Sequence, residues 1–354
     1  MAPTIHSIAR ALPQFTVTND EAAARLVDVF VAAGEDPSLV RQIFDNAGID
    51  RRYLARPSAY YLSETSLTAR NQTYSEVARE VGVEACQKAL DKAGVAPEEV
   101  DLIVDTSCTG VMIPALDAFV ADALHMRRDV RRLPLTEAGC AAGATSLAFA
   151  HDYLLAKPDA TCLLLSTELP SLTLQLGDVS RANLVSAAIF GDGAAAVVVS
   201  NKPAKGVAVE HLAHKSVLFP NTTDIMGFDL RTEGFKIILS KRIPLLVRRH
   251  LREEVDTFLE AQGLSLKDMG FFSVHPGGTK VLDNVRDVLE LDEQAVSASR
   301  RTLRDYGNLS SASVHFVTQQ LIEDEAIEPG RFGLMIAMGP GFTVEMALLR
   351  GARG

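Results

Sequence analysis

An internal echo constrains this chain more than any other feature. DLIVDTSCTG (Asp101 to Gly110) is an apolar run that ends in a loop, and DMGFFSVHPGG (Asp268 to Gly278) repeats that form. Each is followed by a helical stretch, a charged segment and a second loop that opens a helix. That loop is EAGCAAGATS in the first case and DYGNLSSASV in the second. Cys108 and Cys140 stand 32 positions apart, and His275 and Asn308 stand 33 apart. The apolar strands CLLLSTE (Cys162 to Glu168) and FGLMIAMGP (Phe332 to Pro340) come next. Matching element order predicts a duplicated unit, and the equivalent loops of two such halves converge on one site between them. A chain of 354 residues is long for a single core and suits two halves.

The surrounding pattern predicts an α/β protein. After a short opening strand, Asn19 to Ala33 carries the helix start signal TNDEAAARL. Thr73 to Ala93 reads as a second helix, stopped by Gly94. Strands are expected at Asp101 to Ser107, Cys162 to Ser166 and Ala194 to Ser200, and a helix at Ala141 to Leu155.

Composition excludes several functions. Hydrophobic residues make up 47% and charged residues 23%, ordinary values for a folded protein. The net charge of −10 repels nucleic-acid phosphates, so no nucleic-acid partner is expected. The basic cluster His125 to Arg132 is the local exception, readable as a solvated segment or as a docking patch for an acidic partner. No apolar run approaches the ~20 residues of a membrane span, and no secretory signal opens the chain. A cytoplasmic location with reduced thiols is therefore expected. Cys86, Cys108, Cys140 and Cys162 form no CxxC pair, so no metal site is expected.

Cys140 sits among Gly139, Ala141, Ala142 and Gly143, small residues that allow a sharp turn and leave the thiol uncrowded. It precedes a helix, where unpaired N–H groups stabilise a thiolate. His275 ends an apolar strand, the place where α/β proteins carry functional groups. Asn308 lies in YGNLSS beside a helix start. Singly, each has a plain alternative: a buried core thiol, a hydrogen-bonded structural histidine, a helix-capping asparagine. Together they form a plausible catalytic set. A Cys–His pair lowers a thiol pKa toward the ~3.5–7.5 range, and His and Asn can both donate to an oxyanion. Cys86 and Cys162 read as core residues. The other histidines (His6, His125, His151, His211, His214, His250, His315) belong to no motif and read as structural or surface groups.

The strings EAGCAAGA, IFGDGAAAVVV, SVHPGGTKVLD, YGNLSSASV and MGPGFTVEMALL resemble, in order and spacing, the type III (chalcone-synthase-like) polyketide synthases. That resemblance covers nearly the whole chain and is weakest before about Arg51. It implies a thiolase-like fold of duplicated αβαβα-type halves with layered mixed sheets. The halves are 1–210, carrying the nucleophilic Cys, and 211–354, carrying His and Asn. It implies Cys140 as the nucleophile and His275 with Asn308 as the pair that promotes malonyl decarboxylation. Phe190 matches a gatekeeping phenylalanine, and Met338, Gly339, Pro340 and Gly341 match the glycine-rich loop that shapes the cavity. Cys108 and Thr173 are expected at the cavity wall. Ile237 stands near a second gatekeeping position, and Phe228 near a position that is Gly in plant enzymes. Arg41, Arg51 and Arg52 stand near Asn46, where a basic residue that grips CoA is expected. The implied substrates are malonyl-CoA and an acyl-CoA or acyl carrier protein, with no cofactor, in a homodimer. LSTELPSLTLQ and SRANLVSAAIFGDGAAA look most like bacterial members that take long fatty acyl starters and release alkylpyrones or alkylresorcinols.

Three other readings compete. A ketoacyl-synthase III-like or hydroxymethylglutaryl-CoA-synthase-like enzyme shares the Cys/His constellation but condenses once. A papain-like hydrolase also uses Cys, His and Asn, but the alternating strands and the internal echo do not suit that fold. A catalytically silent scaffold would not require all three side chains.

Overall fold

The computed structural model describes residues 2–353 apart from 33, 64, 65, 204 and 205. Nine strands form one mixed sheet. Their order is Met269–Val274, Phe332–Gly339, Thr343–Arg353, Val207–Leu218, Thr4–Ala11, Gly193–Ser200, Thr161–Glu168, Leu102–Thr106 and Arg131–Leu135.

The echo in the sequence is an echo in this sheet. Leu102–Thr106 runs parallel to Thr161–Glu168, which runs antiparallel to Gly193–Ser200. Met269–Val274 runs parallel to Phe332–Gly339, which runs antiparallel to Thr343–Arg353. Thr4–Ala11 and Val207–Leu218 meet antiparallel at the centre. The boundary expected after residue 210 falls inside Val207–Leu218, a strand that pairs with Thr343–Arg353 along its length and with Thr4–Ala11 at its start.

Strands buried on both faces carry continuous apolar runs. Gly193–Ser200 is buried at every position, as is Thr161–Glu168. Helices cover both sides. The long helix Leu67–Ala93 packs on Thr4–Ala11 and Gly193–Ser200. It starts earlier than Thr73 because Ser66 caps it, accepting from the Ala69 N–H at 3.2 Å, and it ends at Gly94 in the left-handed conformation. The first helix is Asn19–Ala32; its expected end, Ala33, lies outside the described residues.

On the other face, Ala142–Ala156 and Ser313–Glu323 lie side by side, burying Leu147, Ala150 and Leu154 with Val314, Val317 and Leu321. Gly143 permits this approach, since a Cβ there would stand 2.3 Å from the Ser311 carbonyl oxygen and 2.8 Å from Val314 Cγ1. The two helices are thereby held with their N-terminal turns adjacent, and those turns carry Cys140 and Ser310. No helix among the described residues is long and apolar enough to cross a membrane.

Candidate active site

A cavity of about 960 Å³ opens between the two halves. Cys140, His275 and Asn308 all line it. Cys140 occupies a 3₁₀ turn, Gly139–Ala141, immediately before helix Ala142–Ala156. Gly139 has φ +55°, and a Cβ there would meet Pro340 Cδ at 2.5 Å. Gly339 lies against Ala141 in the same way, at 2.7 Å from an added Cβ. The glycine-rich loop therefore rests directly on the turn that presents the thiol.

His275 follows strand Met269–Val274, its N–H donating to the Ile336 carbonyl at 2.8 Å. Burial lowers the imidazole pKa to about 4, and its Nδ1 is buried without a hydrogen-bond partner. The ring is therefore neutral at physiological pH. Asn308 is held through its carbonyl end: Oδ1 accepts from the Ser310 N–H at 2.8 Å and from the Ser313 hydroxyl at 3.4 Å. The NH₂ end is left to the cavity, on the side of the Cys140 thiol.

The thiol departs from expectation. Burial pushes the Cys140 pKa up to about 12, while Ser310 and Asn308 act in the opposite direction. The thiol donates to Ser310 Oγ at 3.4 Å. Desolvation therefore opposes charge on both groups, the opposite direction from the expected thiolate–imidazolium pair.

A buried network supports the same region. Glu168, fully buried at the end of its strand, accepts from the Ser311 hydroxyl at 2.6 Å, the Thr109 hydroxyl at 2.8 Å and the Cys108 N–H at 3.1 Å. Its pKa is raised, chiefly by burial. The Cys108 thiol lies 3.6 Å from both Glu168 Oε1 and Ser310 Oγ and is raised well above its usual value, again first by burial. Ser310 has φ +48°, a conformation uncommon for a residue with a side chain, and its hydroxyl serves both cysteines. Glu168, Ser310 and Ser311 were not singled out from the sequence. The available signal was a carboxylate ending the apolar run CLLLSTE, which has no reason to be there without buried donors.

The other expected residues divide. Cys108, Phe190, Phe228, Ile237, Met338, Pro340 and Gly341 line the cavity. Phe228 and Ile237 face each other across the hairpin Met226–Arg231/Gly234–Leu239, which forms an apolar wall. Thr173 and Gly339 do not line it. Thr173 is buried, its hydroxyl donating to the Pro170 carbonyl at 2.8 Å, and Gly339 is a packing contact behind the thiol turn. Arg52 is corrected outright. It is buried, donates to the Ala187 carbonyl and Asn19 Oδ1 at 2.6 Å each, and lies over the Phe44 ring. Arg41 and Arg51 are exposed and stand off the cavity, whose positive rim is Arg181, Lys241 and Lys280.

Comparison with known proteins identifies the family. The family model for chalcone and stilbene synthases, C-terminal domain, matches residues 211–353, and that for FAE1/type III polyketide synthase-like protein matches residues 10–217. A 1,3,6,8-tetrahydroxynaphthalene synthase of Streptomyces peucetius subsp. caesius is 40% identical over 98% of this chain and 93% of its own. A putative chalcone synthase of Bacillus subtilis is 33% identical over 99% of both chains. The crystal structure of the 1,3,6,8-tetrahydroxynaphthalene synthase of Streptomyces coelicolor A3(2), a bacterial type III polyketide synthase, superposes with a TM-score of 0.95. It is 31% identical and covers 99% of this chain and 100% of that one. With a thiolase-like fold and matches across both halves, the chain belongs to the type III polyketide synthases, enzymes that condense acyl units from malonyl-CoA and acyl-CoA.

Proposed function

We propose that Cys140 carries the growing acyl chain and that His275 and Asn308 stabilise the enolate formed from malonyl-CoA. The observation that carries this reading is convergence: a thiol from the first half meets an imidazole and an anchored amide from the second on one cavity. The Cys140 sulfur attacks the starter thioester and CoA leaves as its thiol. The thioester carbonyl of malonyl-CoA then lies against His275 and the Asn308 NH₂. Loss of carbon dioxide moves an electron pair onto that carbonyl as an enolate, which these donors stabilise. The enolate carbon attacks the acyl–Cys140 thioester, forming a carbon–carbon bond and releasing the Cys140 sulfur. Neutral His275 keeps one ring N–H, which it can donate to the enolate oxygen. Lys241, Lys280 and Arg181 at the mouth suit the phosphates of CoA.

For the product, the relatives' names carry weight. Tetrahydroxynaphthalene has ten ring carbons with oxygens at alternate positions, the pattern that five malonyl-derived two-carbon units give. We read this chain as making such a hydroxylated aromatic from malonyl-CoA alone. A long-chain fatty acyl starter, leading to an alkylpyrone or alkylresorcinol, is the second reading. It is favoured by the apolar wall of Met226, Phe228, Leu230, Phe235 and Ile237, against which each methylene would gain about 0.8 kcal/mol. Mass spectrometry of products from malonyl-CoA with and without lauroyl-CoA separates them. An aromatic pentaketide from malonyl-CoA alone supports the first reading, and products formed only with lauroyl-CoA support the second. A single β-ketoacyl product would instead place the chain with single-condensation enzymes. A homodimer is part of this reading, and Ile113, 95% exposed beside the cavity-lining Val111, is an apolar side chain suited to a partner surface.

A further inference from the structure

Away from the cavity, the sheet and the helix behind Cys140 bring together residues that no sequence motif connects. His151 and Asp152 are consecutive in the last turns of helix Ala142–Ala156, and His211 and His214 lie on strand Val207–Leu218. Residues three apart on a regular strand face opposite sides of the sheet. Here the strand bulges at Leu212: His211 pairs with Leu349 and Ala213 with the adjacent Leu348. The extra residue returns His211 and His214 to one face. Their ring centroids lie 5.5 Å apart, and those of His151 lie 4.6 Å from His211 and 5.1 Å from His214.

We propose that His151, Asp152 and His214 bind a divalent transition-metal ion of the zinc class. One ligand atom from each of the three lies within 4.8 Å of the others. The Asp152 carboxylate stands between the rings, with Oδ1 3.5 Å from His151 Nδ1 and Oδ2 3.5 Å from His214 Nε2. That separation is long for a hydrogen bond. The two contacts use different oxygens, so the exposed Asp152 carboxylate and the half-buried His214 ring would close in by a fraction of their present span to meet the ~3.3 Å edge of a tetrahedron about an ion ~2.0–2.1 Å from its ligands. Two imidazoles with one carboxylate suit zinc, cobalt or nickel and do not suit calcium or magnesium, which prefer all-oxygen shells. His151 is buried, His214 partly so, and Asp152 exposed, so the site has an entry path and an open side for water. His211 is fully buried behind the two rings, its Nε2 3.1 Å from the Ala213 carbonyl oxygen, and it limits how far they can turn. None of the four residues lines the cavity. The ion would join a helix of the first half to a strand of the second, which makes it a structural clasp.

The test uses the chelator-treated full chain titrated with zinc chloride in a calorimeter, with melting temperature followed in parallel. His214→Ala and the isosteric Asp152→Asn are the variants. The parent should bind about one ion at this site, and each variant should bind at least ~10-fold more weakly. Zinc should raise the melting temperature of the parent and leave His214→Ala unmoved. The cobalt spectrum should show nitrogen and oxygen ligation without thiolate charge transfer, which separates this site from the active-site cysteines. Equal zinc affinity in the parent and both variants, no binding at millimolar zinc, or a thiolate spectrum would each overturn the proposal.

Discussion

The backbone of Asn308 grips the residues on either side of Phe190. Its N–H donates to the Ile189 carbonyl at 2.7 Å, and its carbonyl accepts from the Gly191 N–H at 3.1 Å, an isolated parallel bridge between the two halves. A residue of the cavity wall from the first half and the amide of the second are therefore placed by one pair of hydrogen bonds. Gly191 makes the approach possible, because a Cβ there would stand 2.2 Å from the Tyr306 carbonyl oxygen.

Gly191→Ala should consequently displace Asn308 and Phe190 together. A displacement on the order of 1 Å at a reacting group can cost ~10²-fold in rate, and kcat/KM for malonyl-CoA should fall by about that factor. Steady-state kinetics beside a thermal melt checks this. A normal rate in a folded variant would show that the bridge does not position the site.

Asn308→Ala tests the enolate role separately from loading. The variant should still accept an acyl group on Cys140, while malonyl-CoA decarboxylation falls by ~10²–10³, the usual loss for one oxyanion donor. Carbon dioxide release at the parent rate would remove Asn308 from the chemistry.

The order of strands and helices and the gathering of Cys140, His275 and Asn308 on one cavity are legible in the sequence, because each follows from local pattern plus the echo. What was not legible depends on packing between distant segments. Arg52 lies near Asn46 in sequence, which suggests a CoA ligand, but it is buried and its two terminal nitrogens donate to the Ala187 carbonyl and Asn19 Oδ1. Thr173 was placed by its string, and its hydroxyl is used within its own turn. The helix terminus before which Cys140 sits was readable; the burial that raises its pKa was not. The hairpin Met226–Arg231/Gly234–Leu239 carries a readable signal, since Met226, Phe228 and Leu230 alternate with Gly227, Asp229 and Arg231, but the pattern does not say that the apolar face meets a cavity. The histidine cluster could not be read because a single bulge at Leu212 decides which way His211 and His214 face.

Ser310 should tune the thiol. Its hydroxyl lowers the Cys140 pKa against the larger effect of burial. In Ser310→Ala the pH midpoint of iodoacetamide inactivation should move upward from that of the parent, which itself should lie above the ~8.5 of a free cysteine. A parent midpoint below ~7.5 would mean that the ion pair exists in the resting enzyme and that burial does not dominate.

Asp192 should give the protein a distinctive pH dependence of stability. Burial raises its pKa to about 7, although it accepts from the Ala55 N–H at 2.7 Å and the Ser171 N–H at 2.9 Å. The folded value exceeds the unfolded ~3.9, so its contribution is fully present below pH ~4 and is lost as pH rises through about 7. Asp192→Asn should flatten that part of the profile in urea melts at pH 4 to 8. Asp192→Ala leaves buried donors unpaired and should cost on the order of 3 kcal/mol. Identical slopes in the parent and Asp192→Asn would contradict the assignment.

The central claim is that Cys140 carries the chain. Intact-protein and peptide mass spectrometry after brief incubation with acyl-CoA reads this directly. The parent should gain one acyl mass on the peptide containing Cys140, and Cys140→Ala should gain none while keeping its fold and cavity. An acyl group found on Cys108 or any other residue of the parent, or retained by Cys140→Ala, would contradict the account.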